Sequence, residues 1–307
     1  MDLTIIIPAY NEEKNLSEMH QSLKKILKDI DNTYEIIFID DGSSDSTFSE
    51  IKRLRNEDSK IRAIRFNINS GKSAALNQGF KIANGEIIIT MDADMQDDPE
   101  EIPRFIEKIK EGYDVVSGWK QKRKDPISKT VPSKIFNIVT SQITGLKLHD
   151  YNCGFKAYKK KVIKNINIYG ELHRYIPALA FWKGFSVTEI TVNHHKRKHG
   201  KSKFGTGRIF RGFFDLLTVK YLSIFLKSPL HFFGPIGIAS MSFGILIGFY
   251  LVYLRYILDN RIGDRPLLML SVLLLVIGLQ FISMGFLGEM IAKTNGNMDD
   301  IVIDKEL

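Results

Sequence analysis

Along the first 120 positions, apolar residues alternate between short unbroken runs and helical spacing. Leu3–Ile7 is a continuous apolar run, after which Leu16, Met19, Leu23, Ile26, Leu27 and Ile30 recur as on one face of a helix. Glu35–Ile39, Ile61–Phe66, Glu86–Met91 and Asp114–Ser117 read as further strands. Helices are predicted from Thr47, over Ser73–Ala83 and from Pro99. Strands that are apolar throughout, each followed by a helix, predict an α/β domain whose parallel sheet is covered on both faces. Ligands of such sheets bind beyond the carboxyl ends of the strands.

The pattern changes near the end of the chain. Phe232–Tyr256 and Leu267–Leu287 are almost free of charge, with Arg255 the one exception. Each is long enough for a bilayer core, which takes roughly 20 apolar residues in a helix. The mean hydropathy of -0.08 therefore averages a polar domain with two spans. Before the first span, Thr206–Ser228 reads as amphipathic, with Ile209, Phe210, Phe213, Phe214, Leu217 and Tyr221 on one side. Such a helix lies in the headgroup plane, or else packs as a core helix. Gly234, Gly237, Gly244 and Gly248 allow close helix packing, within one chain or between copies in a homo-oligomer.

The formal charge of +8 is concentrated. Lys196, Arg197, Lys198, Lys201, Lys203, Arg208 and Arg211 occur between Ile190 and Phe214 without an acidic residue. So close to a membrane span, this run is expected to meet anionic lipid headgroups or to set topology, and nucleic acid is not expected as a partner. No basic n-region or cleavage site precedes Leu3, so a signal peptide is not expected. The globular part and both termini are then expected on the cytosolic side of the cytoplasmic membrane. Cys153 is the single cysteine, which excludes an intramolecular disulfide and a cysteine-based metal cluster.

Polar chemistry gathers after three strand ends, in Pro8-Ala9-Tyr10-Asn11-Glu12-Glu13, Asp40-Asp41-Gly42-Ser43-Ser44-Asp45 and Asp92-Ala93-Asp94-Met95-Gln96. In extended backbone Asp92 and Asp94 project to one side, with Gln96 within reach if the chain turns. Two carboxylates and an amide oxygen suit a hard divalent cation that keeps positions for water and phosphate oxygens. Asp98-Pro99-Glu100-Glu101 reads instead as a helix cap, with proline at the first helical position. No Gly-x-Gly-x-x-Gly follows the first strand, and Phe66 stands where a P-loop needs its first glycine. Lys72, near a helix start, is either a phosphate contact or a surface lysine. His194, His195 and His199 lack a metal-ligand spacing, and Trp119, Trp182, His173 and Arg174 read as core or packing residues.

Taken in order, Ile-Ile-Pro-Ala-Tyr-Asn-Glu, Asp-Asp-Gly-Ser-Ser-Asp and Met-Asp-Ala-Asp-Met-Gln-Asp-Asp-Pro-Glu resemble the family 2 glycosyltransferases with a GT-A fold. His149-Asp150-Tyr151-Asn152-Cys153-Gly154-Phe155-Lys156, His173-Arg174-Tyr175-Ile176-Pro177-Ala178 and the segment from Arg197 to Gly205 look like the polyprenyl-phosphate hexosyltransferase branch. Dolichol-phosphate mannose synthases and bacterial GtrB-type glucosyltransferases belong to that branch. The likeness runs from about residue 3 to 290.

The resemblance implies a GT-A Rossmann-like nucleotide-diphospho-sugar transferase domain over 1–205. An interfacial helix over 206–228, a two-helix anchor over 229–290 and a cytosolic tail over 291–307 would follow it. It implies that Pro8, Tyr10, Glu12 and Asp41 line the nucleotide pocket, with Lys72 and Asp92 also on the donor. Asp92, Asp94 and Gln96 would hold Mg²⁺ or Mn²⁺ against the donor diphosphate. Asp150 falls in the acceptor-side motif, and Arg197, Lys198 and Lys203 in a basic loop that meets phosphate groups. The sequence departs from the pattern at Cys153, Lys156 and Trp119-Lys120; a lysine offers a point charge where arginine offers a fork.

The expected reaction moves a hexose, glucose from UDP-glucose first and mannose from GDP-mannose as the alternative, onto polyprenyl phosphate with inversion. The lipid phosphate has a second pKa of about 6 and needs no strong base. Asp94 and Asp150 are accordingly read as catalytic, Asp150 by orienting the donor or stabilising the sugar, or else as a helix cap. Two rivals are weighed. A processive synthase would carry Gln-x-x-Arg-Trp, and neither tryptophan follows an arginine. A non-catalytic nucleotide-sugar binder would have no reason to cluster Asp92, Asp94 and Gln96.

Overall fold

The computed structural model describes residues 1–30, 32–121, 127–195, 228–259 and 266–294, with side chains at 127–132, 134–135 and 292–294 left out of the description. Arg197, Lys198, Lys203, nearly all of the 206–228 segment and most of the 291–307 tail lie outside these residues. The described residues divide between two units, a globular α/β unit and a helical one.

In the α/β unit the chain runs β1 (Leu3–Ala9), α1 (Leu16–Lys28), β2 (Tyr34–Asp40), α2 (Thr47–Glu57), β3 (Ile61–Arg65), α3 (Lys72–Ile82), β4 (Ile87–Thr90), α4 (Ile102–Lys110), β5 (Val115–Trp119), α5 (Ile127–Thr144), β6 (Lys156–Lys159), α6 (Lys160–Asn165), α7 (Ile176–Trp182) and β7 (Val187–Thr191). The seven strands form one sheet in the order β3-β2-β1-β4-β6-β5-β7. β2 is buried at every position, as expected of a strand covered on both faces. On α1, Leu16, Met19, His20, Leu23 and Leu27 are buried, which is the helical spacing read from the sequence.

The strands read from the first 120 residues all run parallel, and the sheet adds one reversed strand to them. β6 pairs antiparallel with both β4 and β5, so the other six strands point one way and β6 returns against them. Its Lys-Ala-Tyr-Lys sequence carries no apolar run to mark it. The direction follows from where the chain arrives. Lys156 enters beside Thr90 and Ser117, near the carboxyl ends of their strands, and a strand entering there must run backwards. This keeps residues 145–155 at the edge where ligands bind.

Gly79 of α3 lies over β1, and a Cβ there would stand 2.6 Å from Cγ2 of Ile6, a fully buried residue. Overpacking of this kind costs about 1–3 kcal/mol, more than the ~1 kcal/mol of helix propensity that alanine adds over glycine. Gly79→Ala is expected to lower the thermal midpoint of the detergent-solubilised chain by a few degrees. An unchanged or raised midpoint would show that Ile6 can yield.

The helical unit contains α8 (Pro229–Tyr256) and α9 (Pro266–Thr294). Pro229–Tyr256 and Pro266–Ile291 are long and apolar enough to cross a membrane. They meet through small residues: Ser271 Oγ donates to the Gly244 carbonyl and Ser240 Oγ to that of Leu274, each at 2.8 Å. A Cβ on Gly237 would stand 2.7 Å from the Gly278 carbonyl oxygen, so glycine is what permits this approach.

Candidate active site

The polar loops read from the sequence converge at the carboxyl ends of β1, β2 and β4. Pro8 lies within β1, paired with Ile39, and Tyr10 follows the strand. Beyond Asn11, whose φ is 54°, Glu12 accepts from Asn15 Nδ2 at 2.6 Å, and its own N–H donates to Thr47 Oγ1 at 2.8 Å. Asp40, fully buried, accepts the Ser43 N–H at 3.0 Å and pairs with Arg65 Nε at 3.2 Å. Asp41 accepts the N–H groups of Ser70 and Gly71, at 2.7 and 3.0 Å. Asp41 thereby ties the loop that opens α3 to the end of β2, and Lys72 becomes the first residue of that helix.

The Asp92–Gln96 loop carries the densest charge. Met95 adopts φ 60°, a left-handed conformation that costs a non-glycine residue about 1–3 kcal/mol. The resulting turn brings the Gln96 N–H to the buried Asp94 carboxylate at 3.2 Å. Asp92 pairs with Lys72 Nζ. Partial burial works against the Asp92 charge, but the ammonium groups of Lys72, Lys120 and Lys156 outweigh it and hold the carboxyl below its ordinary range. Gly154 completes the approach: a Cβ there would stand 2.6 Å from Asp92 Oδ2, so the backbone at Gly154 runs directly against this carboxylate.

Several residues outside the expected site sit beneath these groups. Asp97, buried, accepts the Asp92 N–H at 3.2 Å and pairs with Lys120 at 2.8 Å. Desolvation disfavours the Lys120 charge, but Asp97 overrides it and raises the amine above the ordinary lysine range. Lys156, also buried, donates to the carbonyls of Cys153 and Tyr151. Burial, with the Lys72 charge acting in the same direction, lowers its amine to about 8. The two lysines among the departures from the family pattern are thus tied into the fold. The segment 194–195 closes the other side, where His194 bridges to Asp97 and the His195 N–H donates to the Gln96 carbonyl at 2.9 Å. His195 Nε2 lies 3.0 Å from Asp98. A basic residue directly after a strand end, as at Lys120, was the available signal.

Two expectations resolve differently. Asp98 does cap, accepting the Glu100 N–H at 3.0 Å, but over a short 3-10 turn at Pro99–Glu101 before α4 begins. Asp150 caps no helix: buried, it accepts the Asn152 N–H at 3.1 Å within a turn, after α5 has ended. His173 is tied to the site, with Nδ1 2.9 Å from Ser73 Oγ in the first turn of α3. Trp182 Nε1 donates to the Thr144 carbonyl at 2.9 Å, a packing role.

The family model described as glycosyl transferase family 2 matches residues 4–166. The chain is 36% identical over 299 residues to the dodecaprenyl-phosphate galacturonate synthase of Rhizobium johnstonii, covering 96% of this chain and 88% of that one. It is 36% identical over 293 residues to the undecaprenyl-phosphate 4-deoxy-4-formamido-L-arabinose transferase of Shewanella sediminis, covering 95% and 87%. Among solved structures it is similar to the glucosyl-3-phosphoglycerate synthase of Mycobacterium tuberculosis in complex with Mn²⁺, UDP-glucose and phosphoglyceric acid. The TM-score is 0.57 at 16% identity, over 71% of this chain and 79% of that one. At that identity the likeness speaks for the fold alone.

Proposed function

The chain belongs to glycosyl transferase family 2, and on that premise we propose that it transfers a sugar from a nucleotide diphosphate to a polyprenyl phosphate at a membrane. The finer reading is glucose from UDP-glucose onto undecaprenyl phosphate. The observation that carries the proposal is the Asp92–Gln96 loop, where two carboxylates and an amide lie at a strand end with a lysine ammonium already seated against Asp92. The names of the relatives support a polyprenyl-phosphate acceptor, and the two apolar helices support membrane attachment. The catalytic domain is read as cytosolic.

The site fits a divalent cation. Lys72 Nζ stands in for one at Asp92, and among the described residues no group of three His, Cys, Asp or Glu offers a fuller cage. Asp92, Asp94 and Gln96 would hold Mg²⁺ or Mn²⁺, leaving positions for diphosphate oxygens. When bound, the ion supplies Lewis-acid stabilisation of the leaving diphosphate. The protein groups do the rest. Lys72, at the opening of α3, would turn from Asp92 to a donor phosphate once the cation is bound, at a helix N-terminus that favours an anion. Asp97 and Lys120 hold the backbone of Asp92 in place. Asp150, in the segment that leads to the Gly154 approach to Asp92, orients the reacting sugar. Arg197, Lys198 and Lys203 would offset the repulsion between two phosphate-bearing substrates.

Incubating the purified chain with undecaprenyl phosphate and single donors, followed by mass spectrometry, tests this. UDP-glucose, UDP-galacturonate, UDP-N-acetylglucosamine, UDP-galactose and GDP-mannose would be compared with Mg²⁺, Mn²⁺ or chelator. One lipid-phosphate sugar, formed from UDP-glucose and lost with chelator, is the expected result. Product from a different donor would replace the sugar assignment, and nucleotide binding without product from any donor would overturn the reaction.

A further inference from the structure

His149 is held more firmly than an exposed residue requires. Its ring stacks on Trp119 with centroids 4.0 Å apart and planes 14° from parallel. Nδ1 bonds to Glu189 Oε1, while Glu189 Oε2 accepts the His149 backbone N–H at 2.9 Å. Asn137 Nδ2 donates to the His149 carbonyl at 2.7 Å. The side chain nevertheless remains 63% exposed. Trp119 and Glu189 share one face of the sheet, since their partners in the β5–β7 register are Thr191 and Ser117 and side chains alternate along a strand. One ring nitrogen and one ring face are thus fixed. Nε2 makes no hydrogen bond among the described residues.

The position of this clamp matters. Trp119 ends β5 and precedes Lys120, while His149 precedes Asp150, so both adjoin the site at the carboxyl edge. The groups read as holding the donor follow β1, β2 and β4. The His149 clamp stands on β5 and β7, beyond β6 in the sheet order. A donor seated over β1–β4 leaves this side for the second substrate.

We propose that His149, positioned by Glu189 and Trp119, contacts the phosphate of the lipid acceptor through Nε2. The inference rests on the polyprenyl-phosphate reading above. The chemistry is matched: Nε2 donates to a phosphate oxygen when the ring is protonated and accepts from a singly protonated phosphate when it is neutral. The Nδ1 bond to Glu189 survives in both cases and keeps the ring aimed.

Asparagine reproduces the inner nitrogen of histidine and glutamine the outer one, which separates a ligand role from a structural one. The chain has two tryptophans, so the full-length Trp182→Phe protein leaves Trp119 as the sole tryptophan fluorophore against the His149 ring. Farnesyl phosphate is expected to change its emission saturably, whereas farnesol at equal concentration does not, and inorganic phosphate acts weakly. His149→Asn should weaken farnesyl phosphate binding about tenfold, the scale of one lost hydrogen bond to a charged group. His149→Gln should stay within about threefold. In turnover, His149→Asn should raise KM for undecaprenyl phosphate and leave KM for the donor unchanged. Wild-type binding and KM in His149→Asn, equal response to farnesol, or a rise in donor KM alone would each overturn the inference. Failure of the unsubstituted chain to make any lipid-phosphate sugar would instead defeat the reading on which it rests.

Discussion

Asp94→Asn is expected to reduce sugar transfer by about 10³-fold, the scale on which removal of a group stabilising transition-state charge is felt. The substitution keeps the size of the side chain and an oxygen for the Gln96 N–H, so the left-handed turn at Met95 should persist. What disappears is one negative charge from the set proposed to hold the cation. The loss should therefore fall on kcat and on metal-supported UDP binding, while the thermal midpoint changes little. Calorimetric titration of UDP with Mn²⁺ and with chelator checks the assignment. Wild-type metal dependence in the variant, or activity within tenfold of wild type, would remove Asp94 from the cation site.

Lys120→Met should have the largest effect on stability. It strands the Asp97 carboxylate, which is buried and has its ion-pair partner 2.8 Å away. Removing one member of a buried pair costs about 3–5 kcal/mol, because the remaining charge stays desolvated. For a domain of this size that corresponds to a fall in Tm of roughly 6–20 °C. Adding Asp97→Asn to Lys120→Met should restore most of the lost stability, since no charge is then left alone. Transfer should remain impaired in the double variant, because the Lys120 ammonium that helps keep the Asp92 carboxyl ionised is still missing. A thermal scan of the three proteins decides it. If Lys120→Met unfolds with the wild type, the pair is not part of what holds the Asp92 loop.

Periodicity carried much of this molecule. The apolar runs of β1 to β5 and the helical spacing of α1 are local signals, set by which side chains a strand or helix must bury. They located the strand ends, and with them Asp41, Asp92, Asp94 and Gln96. Resemblance then attached a chemistry that spacing alone could not. β6 escaped because two of its four residues are lysines, and its partners β4 and β5 bury Lys156 by pairing from either side. Lys120 was legible as a charge after a strand and a departure from the family pattern, but its partner Asp97 was not, and Asp150 was open to reading as a cap until the turn at Asn152 was seen.

The amino-acid sequence by itself determined the family, the order of strands and helices from β1 to β5, two helices able to cross a membrane, and the loop bearing Asp92 and Asp94. These follow from patterns within a few residues of each other. Tertiary structure alone decided which charges meet: Lys72 with Asp92, Lys120 with Asp97, and His149 with Glu189 and Trp119. Those partners are separated by 20 to 40 residues along the chain. Only the sheet order, with its one reversed strand, brings them together, because a hydrogen bond or ion pair depends on distance in space.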